Sequence, residues 1–398
     1  RDCLLSRGLG DVYKRQAYND STSSNSYPSY IKSIKLVPII DNELKIGMLP
    51  HMNGTIDKNS DSSSKDYITD DGTSDANFRF IGKDAKNYVK FNNELWRVLG
   101  IFNTTDSYGN FSKRIKIIRN ESIGTSISWD SSLPTVNQGY GVNEWSNSAM
   151  MKLLNEGYDE NKVIDSSGNE NLLNNSLYWN RKSGYCLAAP NNNRNNCDFT
   201  SIGLNTTAKS MIDSVVWNTG ALPSNMNSLT PKELYTYERG DKNGKTDFDS
   251  SNYPTVDSVE RTTTWTGKVA LPYASDYIMA SSDGSSNNRE QCMNSPSNVY
   301  GDCSSNNNWM NVGISTPLVS LSPVYGAADP SYTSYTIVTP GSMPAAVNNY
   351  TIKPSVYLNP KTRVKSGSGT NNDPFILELG EKDNTTSVSY THLRAHET

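Results

Sequence analysis

The two ends of this chain are translations of opposite strands of a single DNA segment, which limits the residues that can be expected to fold. One DNA that encodes Ser6–Gln16 has a reverse complement that encodes Val388–Glu397. Ends related in this way are typical of a sequencing adapter, and such added segments are excluded before a fold is inferred. We therefore predict that residues 1–16 and 388–398 derive from an adapter and that the protein proper covers residues 17–387. Any membrane anchor is expected to precede this stretch.

The acidic balance of the chain argues against a nucleic-acid partner. Its 398 residues include 37 basic and 41 acidic side chains, for a formal net charge of −4. Phosphate recognition requires a basic stripe, and no cluster of Lys or Arg stands out in the sequence. The only histidine outside the two ends is His51, so a Ser-His-Asp or Cys-His arrangement would have to use it. We expect His51 to be a solvent-exposed loop residue.

A polar stretch precedes a denser region that we predict to be one surface domain. Residues 17–77 are rich in serine and are expected to form an arm or connector. All seven tryptophans lie between Trp96 and Trp309, which marks the part that carries the core and argues against disorder. The predicted domain covers residues 78–380, and a tail follows at residues 381–387. No apolar run is long enough for a membrane-spanning helix.

Hydrophobic periodicity predicts many short strands and a few helices. Tyr88–Phe91 and Glu94–Phe102 are expected to form a hairpin because Asn92-Asn93 between them tolerates positive φ. Arg114–Arg119 (RIKIIR) alternates charge with isoleucine, as a half-buried strand does. Helices are predicted at residues 143–158 and 205–217, a capping box at 230–233, and further strands at 267–271, 335–338, 350–358 and 375–379. This pattern predicts an α+β fold with two or three helices and long polar loops.

Four cysteines form two pairs with equal spacing. Ten residues separate Cys186 from Cys197, and ten separate Cys292 from Cys303. Both intervening loops are polar, so two local disulfides are the favoured interpretation. Each would contribute roughly 3 kcal/mol in the chain-entropy description. Free thiols and a zinc site are the alternatives, although zinc normally requires closer cysteine pairs or histidines. Disulfides imply an oxidising compartment, and hence export.

One acidic loop has the composition of a calcium-binding loop. Asp241, Asn243, Asp247 and Asp249 place oxygen ligands at short intervals. The loop departs from the EF-hand pattern because Lys245 occupies a ligand position, and a flexible polar loop is the alternative interpretation. Calcium is therefore the one candidate metal, and no organic cofactor is predicted.

A tyrosine-rich stretch is the strongest indication of a binding surface. Residues 318–349 are rich in Tyr, Ser, Pro and Asn, the composition of adaptable recognition loops. The candidate ligand-binding residues are Trp309, Tyr325, Tyr332, Tyr335 and Asn348. A long variable loop without a function is the alternative interpretation.

Paired carboxylates for glycoside hydrolysis are not apparent in the sequence. That chemistry requires two acids that face each other across a cleft. The acids on predicted strands and helix starts are Glu94, Glu121, Glu144, Glu238 and Asp276. We expect most of them to be solvated or to cap helices, and we predict no catalytic residue.

Motif-like stretches spread over residues 78–379 carry a family resemblance. They include YVKFNNELWRVLGIF, RIKIIRNESIG, GYGVNEWSNSAMMKLLN, CDFTSIGL, LYTYERG and IKPSVYL followed by GSGTNNDPFIL. In order and spacing they resemble a family of exported surface or pilin-like proteins of low-GC, mostly gut-associated bacteria. More distantly, they resemble the C-type-lectin-like fold shared with sulfatase-modifying enzymes. The chain departs from the family at Lys353, where arginine is common, and it lacks counterparts of the copper-binding cysteines and of the calcium-lectin sugar motifs.

The resemblance implies a C-type-lectin-like core and a location at the cell surface. Together with the composition it predicts a non-enzymatic extracellular recognition or adhesion domain. The expected partner is a glycan or a host or bacterial surface protein. A structural pilin-like or surface-layer subunit and a polysaccharide hydrolase are the alternatives.

Overall fold

A computed structural model of the chain describes residues 68–124, 126–128, 145–158, 162–164, 170–172, 177–188, 193–219, 229–239, 255–256, 259–260, 264–282, 293–294, 308–310, 317–321, 334–336 and 349–380. All of them belong to one unit of the chain, Asp41–Thr398. The predicted adapter segments, the predicted tail and most of the predicted arm lie outside the described residues.

The described residues form five short helices and many short strands. The helices are α1 (Ala149–Leu154), α2 (Leu177–Asn180), α3 (Thr206–Met211), α4 (Pro231–Glu238) and α5 (Ala274–Met279). The strands are β1 (Ile68–Asp70), β2 (Phe78–Phe80), β3 (Tyr88–Phe91), β4 (Glu94–Thr105), β5 (Phe111–Arg119), β6 (Ser126–Ser128), β7 (Lys162–Ile164), β8 (Glu170–Leu172), β9 (Ser183–Ala188), β10 (Asn193–Asp198), β11 (Val215–Asn218), β12 (Thr255–Val256), β13 (Val259–Glu260), β14 (Thr264–Gly267), β15 (Val269–Ala270), β16 (Pro317–Leu321), β17 (Ser334–Thr336), β18 (Asn349–Thr351), β19 (Ser355–Tyr357), β20 (Thr362–Ser366) and β21 (Phe375–Leu379).

Nine of these strands form a single sheet. Its order is β15-β19-β5-β4-β3-β21-β20, with β1 paired to β2 and β2 paired to β4. The first part of β4 pairs with β3 and a later part pairs with β2, so these two strands share the edge of β4 that lies away from β5. All pairs in this sheet are antiparallel except β21 with β3. Because β1 precedes residue 78, the sheet includes residues from the end of the predicted arm.

The hairpin between β3 and β4 follows from its two asparagines. Asn92 and Asn93 have φ values of 56° and 62°, the left-handed region that a two-residue type I′ turn requires and that asparagine tolerates. The predicted strands on both sides are confirmed, although β4 continues to Thr105. The amide of Asn92 also donates to the carbonyl oxygen of Ile202 at 3.1 Å, so the turn is tied to a distant loop.

The strand predicted from RIKIIR is confirmed, but its charged side does not face solvent. Arg114 and Lys116 are as deeply buried as the isoleucines between them. Alternation normally indicates one wet face. Here both faces are covered, so the charged residues need buried partners.

One of the predicted helices changes into a strand. The prediction for residues 205–217 is correct only over α3, where the side chain of Asn205 accepts from the backbone N–H of Ala208 at 2.8 Å. The chain then becomes extended, and Val215–Asn218 pairs with Thr264–Gly267. The β-branched pair Val215-Val216 and Trp217 suit a strand, and pairing overrides the helical spacing. The helix predicted at residues 143–158 is limited to α1 after a 3-10 turn at Trp145–Asn147.

The predicted capping box is confirmed at the start of α4. The Thr230 hydroxyl accepts from the Glu233 backbone N–H at 3.2 Å, and the Glu233 carboxylate accepts from the Thr230 N–H at 2.8 Å. Pro231 occupies the first helical position, where its missing N–H costs nothing. The helix that follows extends to Glu238.

A continuous core of large side chains covers one sheet and its flanking helices. Trp96, Trp145, Trp179 and Trp217 are all fully buried. Trp96 meets the ring of Phe91 edge to face, with centroids 5.2 Å apart, a favourable aromatic geometry. The placement confirms that the tryptophan-containing stretch carries the core.

The described part of the chain is strand-rich with few helices, as α+β and mostly-β proteins are. Within it, no helix combines the length and the apolar character needed to cross a bilayer.

Candidate functional site

Three buried cationic side chains lie on β2 and β5, two strands that pair with β4. Lys116 lies opposite Gly100 on β4, and Gly100 lies opposite Arg79 on β2. The three residues are therefore aligned across three adjacent strands. Arg79 and Lys116 are buried, and Arg114 lies two residues before Lys116 on β5.

Asp276, in the first turn of α5, joins the two cations. Its Oδ1 accepts from Arg79 Nη1 at 2.6 Å, and its Oδ2 lies 2.5 Å from Lys116 Nζ. The backbone N–H of Tyr273 also donates to Oδ2 at 2.9 Å, so the carboxylate caps α5 as well. Arg79 Nε reaches Asp71 Oδ2 at 2.9 Å. The result is an alternating chain of charges, Asp71–Arg79–Asp276–Lys116, that lies wholly inside the protein.

Aromatic rings enclose the ammonium group of Lys116. The Nζ atom lies 4.2 Å from the ring centroid of Tyr273 and 5.1 Å from those of Trp217 and Tyr357. Phe102 completes the enclosure at 5.5 Å. Ring faces attract a cation, but they offer no oxygen or nitrogen to accept its hydrogen bonds, and they exclude water. Asp276 is therefore the acceptor that this ammonium group depends on.

A second acidic group extends the network along α4. Glu238 is fully buried, and its Oε1 accepts from the Ser275 N–H at 2.9 Å while its Oε2 accepts from the Ser275 hydroxyl at 2.5 Å. Arg239 Nη1 lies 3.7 Å from the same carboxylate. Arg239 also stacks on Tyr235, whose hydroxyl accepts from Asn77 at 2.7 Å. The expectation that most acids are solvated or capping is confirmed for Asp276, which caps α5 although it is buried, and is wrong for Glu238, which is buried and pairs with Ser275.

These contacts disfavour the charged form of Lys116 and favour the charged forms of Asp276 and Asp71. Burial lowers the pKa of Lys116 to about 8, and the charge of Asp276 offsets only part of that effect. Burial by itself raises the pKa of Asp276, but the charges of Lys116 and Arg79 outweigh it and hold the pKa below its usual 3.8. The pKa of Asp71 is lowered in the same way, since burial is outweighed by Arg79 and by hydrogen bonds from Thr73.

Acid is expected to destabilise the protein partly through Asp71. Its folded-state pKa lies below the usual 3.8, so it contributes stability above that value, and this contribution is lost as the pH falls through the folded-state pKa. Urea unfolding at neutral pH and below pH 3.8 measures the loss, and Asp71→Asn should lose less stability between the two conditions than the wild type. Equal losses in both proteins would contradict this assignment.

Arg114 on β5 anchors the tip of the β4–β5 hairpin through contacts of its guanidinium group. Its Nε donates to Asp213 Oδ2 at 2.8 Å, its Nη1 to the Thr104 carbonyl at 2.9 Å, and its Nη2 lies 3.4 Å from Asp106 Oδ2. We call residues 106–111 the hairpin tip. The Ser107 N–H donates to the carbonyl oxygen of Ser214 at 3.0 Å, which holds the tip against the segment before β11.

Asp106 orders the hairpin tip from within. Its Oδ1 accepts from the backbone N–H groups of Tyr108 and Asn110, each at 2.9 Å. Its Oδ2 accepts from the Asn110 amide at 3.0 Å. The turn closes through Gly109, whose φ is +86°. On this fixed frame Tyr108 is 89% exposed and Phe111 is 67% exposed.

The predicted ligand-binding residues are only partly described. Trp309 is 5% exposed, its indole N–H donates to the Phe80 carbonyl at 2.8 Å, and Arg97 stacks over its ring at 4.7 Å. Its contacts are therefore those of a core residue. Tyr335 lies in β17, of which only the backbone is described. Tyr325, Tyr332 and Asn348 lie outside the described residues.

Of the residues predicted to form disulfides or the calcium loop, only Cys186 and Cys197 lie among the described residues. Cys197 is buried and disulfide-bonded. It lies on β10 opposite Gly184, and Cys186 lies opposite Asn195 on the same hairpin, so the predicted Cys186–Cys197 pairing stays a prediction. Cys292, Cys303, His51 and the calcium-loop residues Asp241, Asn243, Asp247 and Asp249 lie outside the described residues. Among the described residues, no cluster of three or more His, Cys, Asp or Glu has an arrangement that could hold a metal ion.

No family model, no curated protein and no solved structure matches this chain.

Proposed function

We propose that this chain is a non-enzymatic recognition domain, built on a C-type-lectin-like core and displayed outside a bacterial cell, that binds a glycan through the hairpin tip. The observation that carries the proposal is the exposure of Tyr108 and Phe111 on a turn that its own side chains hold in place. The disulfide at Cys197 supports an oxidising, extracellular location.

Chemistry favours a sugar over a protein at this tip. Exposed aromatic rings stack on the apolar faces of pyranose rings, and the neighbouring hydroxyl of Ser107 and amide of Asn110 suit sugar hydroxyl groups. A stable protein interface needs about 800 Å² on each partner, which is far more than two side chains on a hairpin provide. Because the turn is already ordered, little conformational entropy is lost on binding.

Removal of the two rings is expected to abolish most glycan binding. The double variant Tyr108→Ala/Phe111→Ala should bind about tenfold or more weakly on a glycan array, since about 1.4 kcal/mol of lost contact corresponds to tenfold. Its free energy of unfolding should be almost unchanged, because both side chains are exposed. The matched control is Leu379→Ala, which removes another exposed apolar side chain, on β21.

The array distinguishes the proposal from its rivals. If the wild type binds no glycan, or if the double variant binds as tightly as the wild type, the hairpin tip is not a glycan site. Equal loss of binding in Leu379→Ala would indicate a nonspecific apolar effect and would also contradict the proposal. Repeating the array with calcium and with a chelator shows whether binding at the tip also depends on the predicted loop at residues 241–249.

A further inference from the structure

The ion pair between Lys116 and Asp276 combines three features that set it apart. The two residues are 160 positions apart in the sequence, and their Nζ and Oδ2 atoms lie 2.5 Å apart. Both side chains are 0% exposed. Lys209 with Glu156 and Lys365 with Glu378 are partly exposed pairs. Among the described residues, Lys116 with Asp276 is thus the one lysine–carboxylate pair that is completely buried.

A buried lysine amine and a buried aspartate carboxyl group can also exist as a neutral amide instead of an ion pair. Removal of two charges from water costs several kcal/mol per ion, and the aromatic rings around Nζ do not replace the lost hydration. Condensation of the amine with the carboxyl group would remove both charges at once. The other cations of the network are arginines, Arg79 and Arg239, whose guanidinium groups do not lose a proton in proteins and are not amine nucleophiles.

The contacts of the carboxylate suit attack on its carbon. Arg79 Nη1 at 2.6 Å holds Oδ1, and it would stabilise the negative charge that grows on that oxygen during attack. Oδ2 faces the amine and accepts from the Tyr273 N–H. Oδ1 is therefore placed to become the amide oxygen, and Oδ2 is placed to leave.

We propose that Lys116 and Asp276 condense to an intramolecular isopeptide bond that covalently links β5 to α5. One ammonium proton passes from Nζ to Oδ2, and the free amine attacks Cγ to form the new N–C bond. A second proton from nitrogen goes to Oδ2, the Cγ–Oδ2 bond breaks, and one water leaves. The net charge is zero before and after the reaction and no atom changes oxidation state, so no oxidant or reductant is required.

The surroundings favour release of a proton from Lys116, whereas the neighbouring cations oppose protonation of Asp276. Burial lowers the pKa of Lys116 to about 8, which brings the free amine within reach near neutral pH. Arg79 keeps Asp276 ionised, so the proton that turns Oδ2 into a leaving group has to come from Lys116 itself. The same aromatic enclosure keeps water away from the finished amide and so protects it from hydrolysis.

The test is the mass of the intact full-length chain, purified in folded form, then reduced and denatured. We expect a mass lower than that of the sequence by one water. Trypsin should then fail to cleave after Lys116, and residues 115–119 should appear joined to residues 269–289 in a single branched species. Reduction before the measurement removes any contribution from disulfides.

Variants assign the missing water to this pair. Lys116→Arg should regain the full calculated mass, whereas Lys209→Arg, which changes a partly exposed lysine, should keep the deficit. A wild-type mass equal to that of the sequence overturns the proposal, and this result does not depend on whether any variant folds. A deficit that persists in Lys116→Arg, or that maps to a cyclised aspartate within a single peptide, overturns it as well.

Discussion

Replacement of Arg79 by methionine is expected to lower the free energy of unfolding by about 3–5 kcal/mol, the range for breaking a buried charge pair from one side. Arg79 is the central cation of the network, with Asp71 on its Nε and Asp276 on its Nη1. Methionine fills a similar volume without charge. The cost therefore comes from the carboxylates that lose their partner and only in small part from packing.

Asp71 determines most of this loss. Asp276 keeps Lys116 and the Tyr273 N–H in the variant. Asp71 keeps only neutral donors, including the hydroxyl of Thr73 at 2.6 Å and the amide of Asn77 at 3.2 Å. A buried carboxylate without a cation is costly. Adding Asp71→Asn to Arg79→Met should therefore recover part of the lost stability.

Urea unfolding of four proteins measures these effects. They are the wild type, Arg79→Met, the double variant and the surface control Arg363→Met. Arg363 pairs with Glu378 at 3.1 Å, but both side chains are about one-third exposed, so its loss should cost no more than about 1 kcal/mol. Equal destabilisation by the two arginine substitutions would show that burial does not govern the network. A double variant that is less stable than Arg79→Met would refute the role given to Asp71.

Local signals predicted the local parts of this fold. The turn at Asn92-Asn93 and the capping box at Thr230 each depend on residues within a few positions of one another, and both are confirmed. The second half of the helix expected at residues 205–217 fails because Val215–Asn218 finds a partner strand about fifty residues later. Helical spacing alone contains no information about that pairing.

The buried network could not be predicted because its members come from four separate segments. Lys116 and Asp276 are 160 positions apart, and Arg79 and Asp276 are 197 apart. The one available signal was the charge in RIKIIR, which normally marks a solvated face. The hairpin tip could not be predicted either. In the sequence, Tyr108 and Phe111 are distinguished from core aromatic residues only by the turn that carries them.

Replacement of Gly100 by alanine is expected to destabilise the protein by about 3 kcal/mol, at the upper end of the usual cost of overpacking. A Cβ atom at this position would overlap the backbone carbonyl of Phe78 and lie 3.0 Å from Cα of Arg79. Backbone atoms cannot rotate away as a flexible side chain can. Strand β2 would have to move away from β4, and Arg79 would move with it.

The position of Gly100 in the ladder explains this sensitivity. The register between β4 and β5 shifts between Val98 and Gly100, and glycine is common at such bulges because a backbone approaches closely. Gly100 also lies opposite Arg79 on β2 and Lys116 on β5. The substitution therefore strains both the sheet and the ion network that crosses it.

Gly109→Ala is the matched control for this prediction. Gly109 has a φ of +86°, but no atom lies within 4 Å of the position that an alanine methyl group would take there. Only the left-handed backbone is therefore penalised, at about 1–2 kcal/mol. Urea unfolding should rank Gly100→Ala as the more destabilised of the two. Amide exchange should rise along Phe78–Phe80 only in Gly100→Ala, because that strand alone is displaced. Equal costs, or unchanged exchange at Phe78–Phe80, would mean that β2 does not depend on the close approach at Gly100.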